Sequence, residues 1–355
     1  MKRVAIPEAV RFMVDCLKAA GAGTRPAEQQ ACLLIQADIC GHPSHGLNRL
    51  ELYVNDIKSD ICKPNNEPKI LKETASTAWV DARNCLGSTS SHFAMDIAIK
   101  KAKNTGVGWV TVKGANHNGM IGYWAKLAAD QGMVGMSFSN TFPMVTPTRS
   151  KEVALGTNPL AVVAPGSEGE LFFFDIATAA VSFGKIEIQR RKGEPLPSGW
   201  AQDRDGNMTT DTEIAKKAKC LLPLGGTETT SGYKGYGLSA TIDILTGISS
   251  GGNYGKYIPV WGEKPPRIAN LGHCFVVVNP GCFAPGFGDR LTDSMRHWRN
   301  LKPVDPKLKV LAPGDKEKAA DKENKKNGFV TYVDQQIESS GALAKRLKVK
   351  PMKLL

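Results

Sequence analysis

The chain has 355 residues, about two domains' worth, and its 41% hydrophobic and 23% charged residues exclude wholesale disorder. No apolar run approaches the roughly 20 residues a membrane-crossing helix needs. The net charge of +12 invites a nucleic-acid reading, but about five of those charges (Lys345, Arg346, Lys348, Lys350 and Lys353) lie in the acid-free tail 345–355, and no basic stripe is interleaved with aromatics. Neither nucleic acid nor a membrane is therefore an expected partner.

In chain order, Glu8, Arg11 and Asp15 break the N-terminal apolar run, which reads as an amphipathic helix and not as a signal-peptide core. Pro7 suits its first turn and Gly21 stops it. A second helix is predicted from Thr24-Arg25-Pro26 to about Cys40, and a third from about His45 toward Lys58. Pro64, Asn65-Asn66 and Pro68 mark a linker. Strands and helices then alternate: strand at Ala78–Val80, helix Ser88–Lys103, strand Trp109–Val112, helix Ile121–Gln131, strand Val134–Ser139. Apolar runs at Leu160–Ala164, Leu171–Phe174 and Phe275–Val278 predict further strands, and Lys234–Ile248 a helix. Beyond about 290 the chain reads as polar and helical, with Phe329, Val330, Val333 and Ile337 on a last amphipathic face. The expectation is a mixed α/β domain over 75–289 and a helical domain formed by both termini, 1–74 with 290–355.

Eight cysteines are scattered without a C-x-x-C pair, several inside apolar patterns (Cys32, Cys274). Free buried thiols in a reducing compartment fit this better than disulfides or zinc, so the cytoplasm is the expected location.

No dinucleotide fingerprint of the G-x-G-x-x-G type and no P-loop is present, so a cofactor would have to bind outside a Rossmann fold. The most informative stretch is Gly41 to Tyr53. With a helix starting at His45, Arg49 and Tyr53 follow at i+4 and i+8 on one face. Arginine can clamp a carboxylate at two points and histidine can exchange a proton, which suits reduction of a carbonyl beside a carboxylate. The plain alternative is a helix start capped by Ser44 with a surface arginine. His42 and His45 could ligate a metal, but no third ligand is near in sequence, and no metal is expected. His117, in Asn116-His117-Asn118-Gly119, follows a strand in the position where α/β folds gather sites, or is a simple turn histidine. Asp175 could orient a histidine, bond a cofactor amide, or only cap the next turn of the chain. Lys234, among the glycines of Tyr233-Lys234-Gly235-Tyr236-Gly237, could meet phosphates at a helix start or be a surface lysine.

Together, SHGLNRLELY (44–53), NHNGMIGYWA (116–125), GTNPLAVVAP (156–165), DIATAAVSFGKI (175–186), PSGWAQDRDGNMTTD (197–211), LLPLGG (221–226), YKGYGL (233–238) and LAPGDK (311–316) resemble the malate/L-lactate dehydrogenase-like oxidoreductases that lack a Rossmann fold. That family includes ureidoglycolate, sulfolactate and diketogulonate dehydrogenases and ketimine reductases, and the eight segments occur in its order over nearly the whole chain.

The resemblance implies a homodimer in which NAD or NADP binds a non-Rossmann mixed sheet. It implies proton chemistry at His45 and His117 and carboxylate binding by Arg49, beside which Ser44 and Tyr53 are the other candidate substrate contacts. Cofactor contacts would come from Thr141, Asp175, Ile176, Ala177, Lys234, Pro313, Gly314 and Asp315. Two positions depart from the family: Ala179 where serine is frequent, and Phe142 where ureidoglycolate-type members carry aspartate. The implied reaction is reversible reduction of a 2-oxo acid to a 2-hydroxy acid. Reduction of a cyclic imino acid and a non-catalytic descendant are the alternatives, and spacing leaves open which histidine moves the proton.

Overall fold

The computed structural model describes residues 1–355, apart from the side chain of Arg191. Its first helix, Ile6–Ala20, turns Ala9, Phe12, Met13, Cys16 and Leu17 inward at three- and four-residue spacing. Gly21, at φ +119°, ends it by donating its N–H to Leu17 and Lys18 carbonyls. The second helix, Thr24–Ile39, lies against it.

The centre is a seven-stranded mixed sheet in the order Lys69–Glu73, Thr77–Asp81, Val107–Ala115, Leu271–Val278, Val134–Ser139, Leu160–Pro165, Leu171–Ile176. Only the pair Thr77–Asp81 and Val107–Ala115 is parallel; all other neighbours run antiparallel. Leu271–Val278, the last of these strands in sequence, occupies the middle and is buried along almost its whole length. That insertion separates the sheet from the all-parallel doubly wound pattern of a Rossmann domain.

The helices Gly87–Thr105 and Gly122–Ala129 cover one face. Gly108 and Gly135 permit their close approach, because a Cβ at either would overlap the carbonyl oxygen of Ala98 or Ala125. Met95, Ala98, Trp124 and Ala125 pack there on Val110, Val112, Phe275 and Val277. Over the opposite face runs Gly232–Asp243, continued by a π-helical turn at Ile244–Ile248. The Trp79 indole donates to the Ser250 carbonyl at 2.7 Å and ties that segment to the sheet.

Both termini share a second core in which Val4, Phe12, Leu17, Leu34, Leu50 and Tyr53 meet Val330, Tyr332 and Leu343. Here the structure corrects the expected helical face at Phe329 and Val330: Phe329–Tyr332 is a strand, paired antiparallel with Lys2–Ala5. Each strand has only four residues and a partner some 330 residues away, so neither carries a local signal. The basic tail folds back on the first helix, with Lys353 N–H donating to Glu8 and Leu355 N–H to the Arg3 carbonyl. Lys69–Glu73, inside the segment 1–74, belongs to the large sheet. A third, smaller core around Val145, Val181, Ile186, Ala201 and Leu221 joins helices Phe183–Lys192 and Thr212–Ala218 to a sheet of two-residue strands. Of the eight cysteines none is disulfide-bonded, and Cys32 and Cys282 are exposed, against the expectation of burial for Cys32.

Candidate active site

A cavity of about 570 Å³ opens between the terminal layer and the edge of the large sheet. It is lined by Ser44, His45 and Arg49 from one side, His117 from the loop after Val107–Ala115, and Thr141, Asp175, Ile176 and Ala177 from the strand ends. Tertiary folding thus brings together segments far apart in the chain.

The predicted helix from His45 does not form as such. Pro43–His45 and Leu47–Arg49 are single 3₁₀ turns, and the α-helix begins at Leu50 and runs to Lys58. The break is Gly46, whose non-helical backbone (φ −94°, ψ −140°) interrupts any continuous helix. A Cβ at Gly46 would collide with the Asp38 carboxylate, which accepts the Leu47 N–H at 3.0 Å and the Tyr332 hydroxyl at 2.7 Å. The loop is therefore held from below by a residue of the second helix.

That loop sets the two groups facing the cavity. Arg49 donates from Nε to the Ser44 carbonyl at 2.7 Å and has no ion-pair partner among the described residues, so its remaining fork is open to a ligand. His45 Nδ1 lies 2.9 Å from Ser44 Oγ. Desolvation, with Arg49 and His42 adding like-charge repulsion, lowers His45 to about 4. It is neutral near pH 7.

The His117 ring lies near-parallel to those of His45 and Trp261, with centroids 6.0 Å and 4.4 Å away. Its Nδ1 is 2.5 Å from the Tyr53 hydroxyl and receives the Gly119 N–H at 3.2 Å. Desolvation first, then His45, Arg49 and His273, hold it well below the usual histidine range. Tyr53 itself is 2% exposed and stands behind His117, outside the cavity lining. The structure does not place it against a substrate.

Asp175 accepts the Gly122 N–H at 2.7 Å, and desolvation raises it to about 6. His42 lines the cavity beside it and pairs with Glu317 at 3.4 Å. Thr141 is set by its N–H to Asn158 Oδ1 at 3.0 Å. Lys234 lies outside the cavity wall, exposed on Gly232–Asp243, its Nζ 5.9 Å from the Tyr233 ring centre. Its neighbour Gly235 packs on the backbone of Leu224, which does line the cavity. Pro313 accepts the Phe173 N–H at 3.2 Å at the sheet edge, Gly314 takes φ +97°, and Asp315 pairs with Arg299 at 2.7 Å. None of these three lines the cavity.

A family model described as malate/L-lactate dehydrogenase matches residues 4–339. The chain belongs to the malate/L-lactate dehydrogenase family. It is 37% identical over 341 residues, 95% of this chain and 93% of the other, to a malate dehydrogenase of Pyrococcus horikoshii. To an L-sulfolactate dehydrogenase of Methanocaldococcus jannaschii it is 36% identical over 321 residues, 90% of each chain. The solved malate dehydrogenase of Entamoeba histolytica matches its fold with a TM-score of 0.92 at 31% identity, over 98% of this chain and 99% of that one. This member of the malate/L-lactate dehydrogenase family is thus an oxidoreductase acting on CH–OH groups.

Sequence reasoning missed Trp261 and Asp56, which share a 2.8 Å indole–carboxylate bond and back the His117 ring. Trp261 sits in a loop without periodicity. Asp56 lies off the apolar face of its helix, where an acid reads as an ordinary solvent-side residue, so neither gave a local signal. The departures Phe142 and Ala179 both line the cavity and make that wall more apolar.

Proposed function

We propose that this member of the malate/L-lactate dehydrogenase family reduces a 2-oxo acid reversibly to a 2-hydroxy acid, using NAD or NADP. The observation that carries this is Arg49: a desolvated guanidinium, anchored by one nitrogen, unpaired, and flanked by two histidines held neutral. Such a group calls for a carboxylate in the cavity. The substrate's C2 oxygen then lies toward His45 and His117.

The cavity residues fit a nicotinamide. Ala177, Ala179, Ala180 and Gly184 are small lining residues that leave space for a flat ring, and Asp175 and Thr141 offer polar groups for its carboxamide. Lys234 would hold the cofactor's phosphates, and Pro313-Gly314-Asp315 would contact the cofactor. When bound, the nicotinamide supplies or removes hydride at C2.

The protein's own contribution is alignment and proton handling. Arg49 grips the carboxylate. This role requires Ser44 Oγ, 2.9 Å away, to accept the Nδ1–H of His45, which leaves Nε2 as the base in alcohol oxidation; the same nitrogen returns the proton in reduction. The same proposal takes the protein as a cytoplasmic homodimer, with 75–289 to carry the cofactor and 1–74 with 290–355 to carry substrate and dimer contacts.

The test is a panel of 2-oxo acids, each with NADH and NADPH, followed by loss of absorbance at the reduced nicotinamide band. Turnover of at least one 2-oxo acid is expected. Inactivity across the panel would overturn the reading.

A further inference from the structure

We propose that Tyr53 is a positioning residue which, with the Gly119 N–H, locks His117 in the Nε2–H tautomer, so that His117 donates a hydrogen bond to the substrate's C2 oxygen and leaves proton exchange to His45. The proposal rests on the reading of the cavity as a 2-oxo acid site.

A backbone N–H can only donate, and that of Gly119 points at His117 Nδ1 from 3.2 Å. Nδ1 therefore presents its lone pair, and the ring's one proton sits on Nε2. On that tautomer the Tyr53 hydroxyl, 2.5 Å from the same nitrogen, is the principal donor to its one lone pair, with the Gly119 N–H sharing it. Burial pushes the Tyr53 phenol far above its usual range, so it keeps the proton it donates. Trp261, stacked on the ring and held by Asp56, fixes the ring plane.

A general base at this position would need the opposite tautomer, with a proton on Nδ1 facing the Gly119 N–H. The ionisable groups around His117 are Tyr53, His45, Arg49 and His273, with Asp56 beyond Trp261. His45 and Arg49 disfavour a second proton on the ring, and no carboxylate offsets them. In the oxidising direction the alcohol proton passes to Nε2 of His45, and the hydride on C2 would be taken by the oxidised nicotinamide that the cavity would hold. His117 keeps its proton throughout.

The lock is read directly by long-range ¹H–¹⁵N correlation spectra of the full-length protein labelled in histidine, with His117 assigned by its loss in His117→Asn. The six histidines of the chain keep such spectra simple. Expected is a protonated Nε2 and an unprotonated Nδ1 across the neutral range, without titration; a protonated Nδ1, or titration of His117 in that range, overturns the proposal.

Kinetics give the second readout. Tyr53→Phe removes one of the two donors, and should shift the tautomer balance and lower kcat about 10-fold with KM little changed. His117→Asn retains an N–H donor, and should keep the pH limb of wild-type oxidation while kcat falls about 10- to 100-fold. Loss of that limb in His117→Asn would assign the proton to His117 and overturn the proposal. Inactivity of the wild-type protein toward every 2-oxo acid would instead defeat the functional reading, and the spectra would still decide the lock.

Discussion

The Asp38 carboxylate occupies the space into which a side chain on Gly46 would point, and from there it accepts the Leu47 N–H at 3.0 Å and the Tyr332 hydroxyl at 2.7 Å. One buried acid thus joins the second helix, the loop bearing His45 and Arg49, and the C-terminal strand. Asp38→Ala leaves two buried donors unsatisfied and should cost about 2–4 kcal/mol in urea unfolding. Gly46→Ala should cost about 1–3 kcal/mol by overpacking. In the Asp38→Ala background the same change should cost less, because the colliding carboxylate is gone. Additive costs would show that the two positions are not in contact.

Burial raises Asp38 to about 7 from an ordinary value of 3.8, against the two hydrogen bonds that favour its charged form. The folded protein then keeps a proton that the unfolded chain has already lost. Stability from this group is full below about pH 4, declines as pH rises toward 7, and levels above it. Both hydrogen bonds end on Oδ2, so an amide oxygen can replace it. Asp38→Asn should fold, and its unfolding free energy should lose this slope between pH 4 and 7. An unchanged slope would locate the titration elsewhere.

Arg49→Lys keeps the charge but loses both the planar grip and the Nε anchor on Ser44. The KM for the 2-oxo acid should rise by about 30- to 150-fold, equivalent to about 2–3 kcal/mol, with the cofactor KM little changed. Steady-state kinetics with each reactant varied will show this. An unchanged oxo-acid KM would remove Arg49 from substrate binding.

His45→Ala should lower kcat by about 10²–10⁴ while cofactor binding, followed by fluorescence, survives. Because His45 is lowered to about 4, the base form is present through the neutral range. For hydroxy-acid oxidation, kcat/KM should therefore be flat near neutrality and fall only as pH drops toward 4. A midpoint near the ordinary histidine value of about 6.5 would mean that another group is titrating, and the His45→Ala profile would retain it.

Lys234→Ala should weaken dinucleotide binding by about 1.5–3 kcal/mol, or roughly 10- to 150-fold, if the lysine meets the cofactor's phosphates. The loss should shrink with added salt, since screening already weakens the wild-type contact. A lysine that only rests on the Tyr233 ring would change calorimetric affinity by no more than a few tenths of a kcal/mol.

Local sequence determined much of this protein. Apolar spacing and end signals placed the helix ended by Gly21, the strand Val134–Ser139 and the helix ended by Gly106, because helix periodicity, strand runs and left-handed glycines are written in neighbouring residues. Eight short motifs in order were enough to indicate the family. Tertiary structure alone decided the rest. The strand Phe329–Tyr332 exists because Lys2–Ala5 offers it an edge, and Leu271–Val278 takes the centre of the sheet through pairings with strands more than a hundred residues away. His45 and Arg49 share a cavity through a glycine break braced by Asp38, not through one helical face. Tyr53, spaced as though to face substrate, stands behind His117 instead, because the meeting of the Leu50–Lys58 helix with the 116–119 loop is a packing relation that no spacing within either segment encodes.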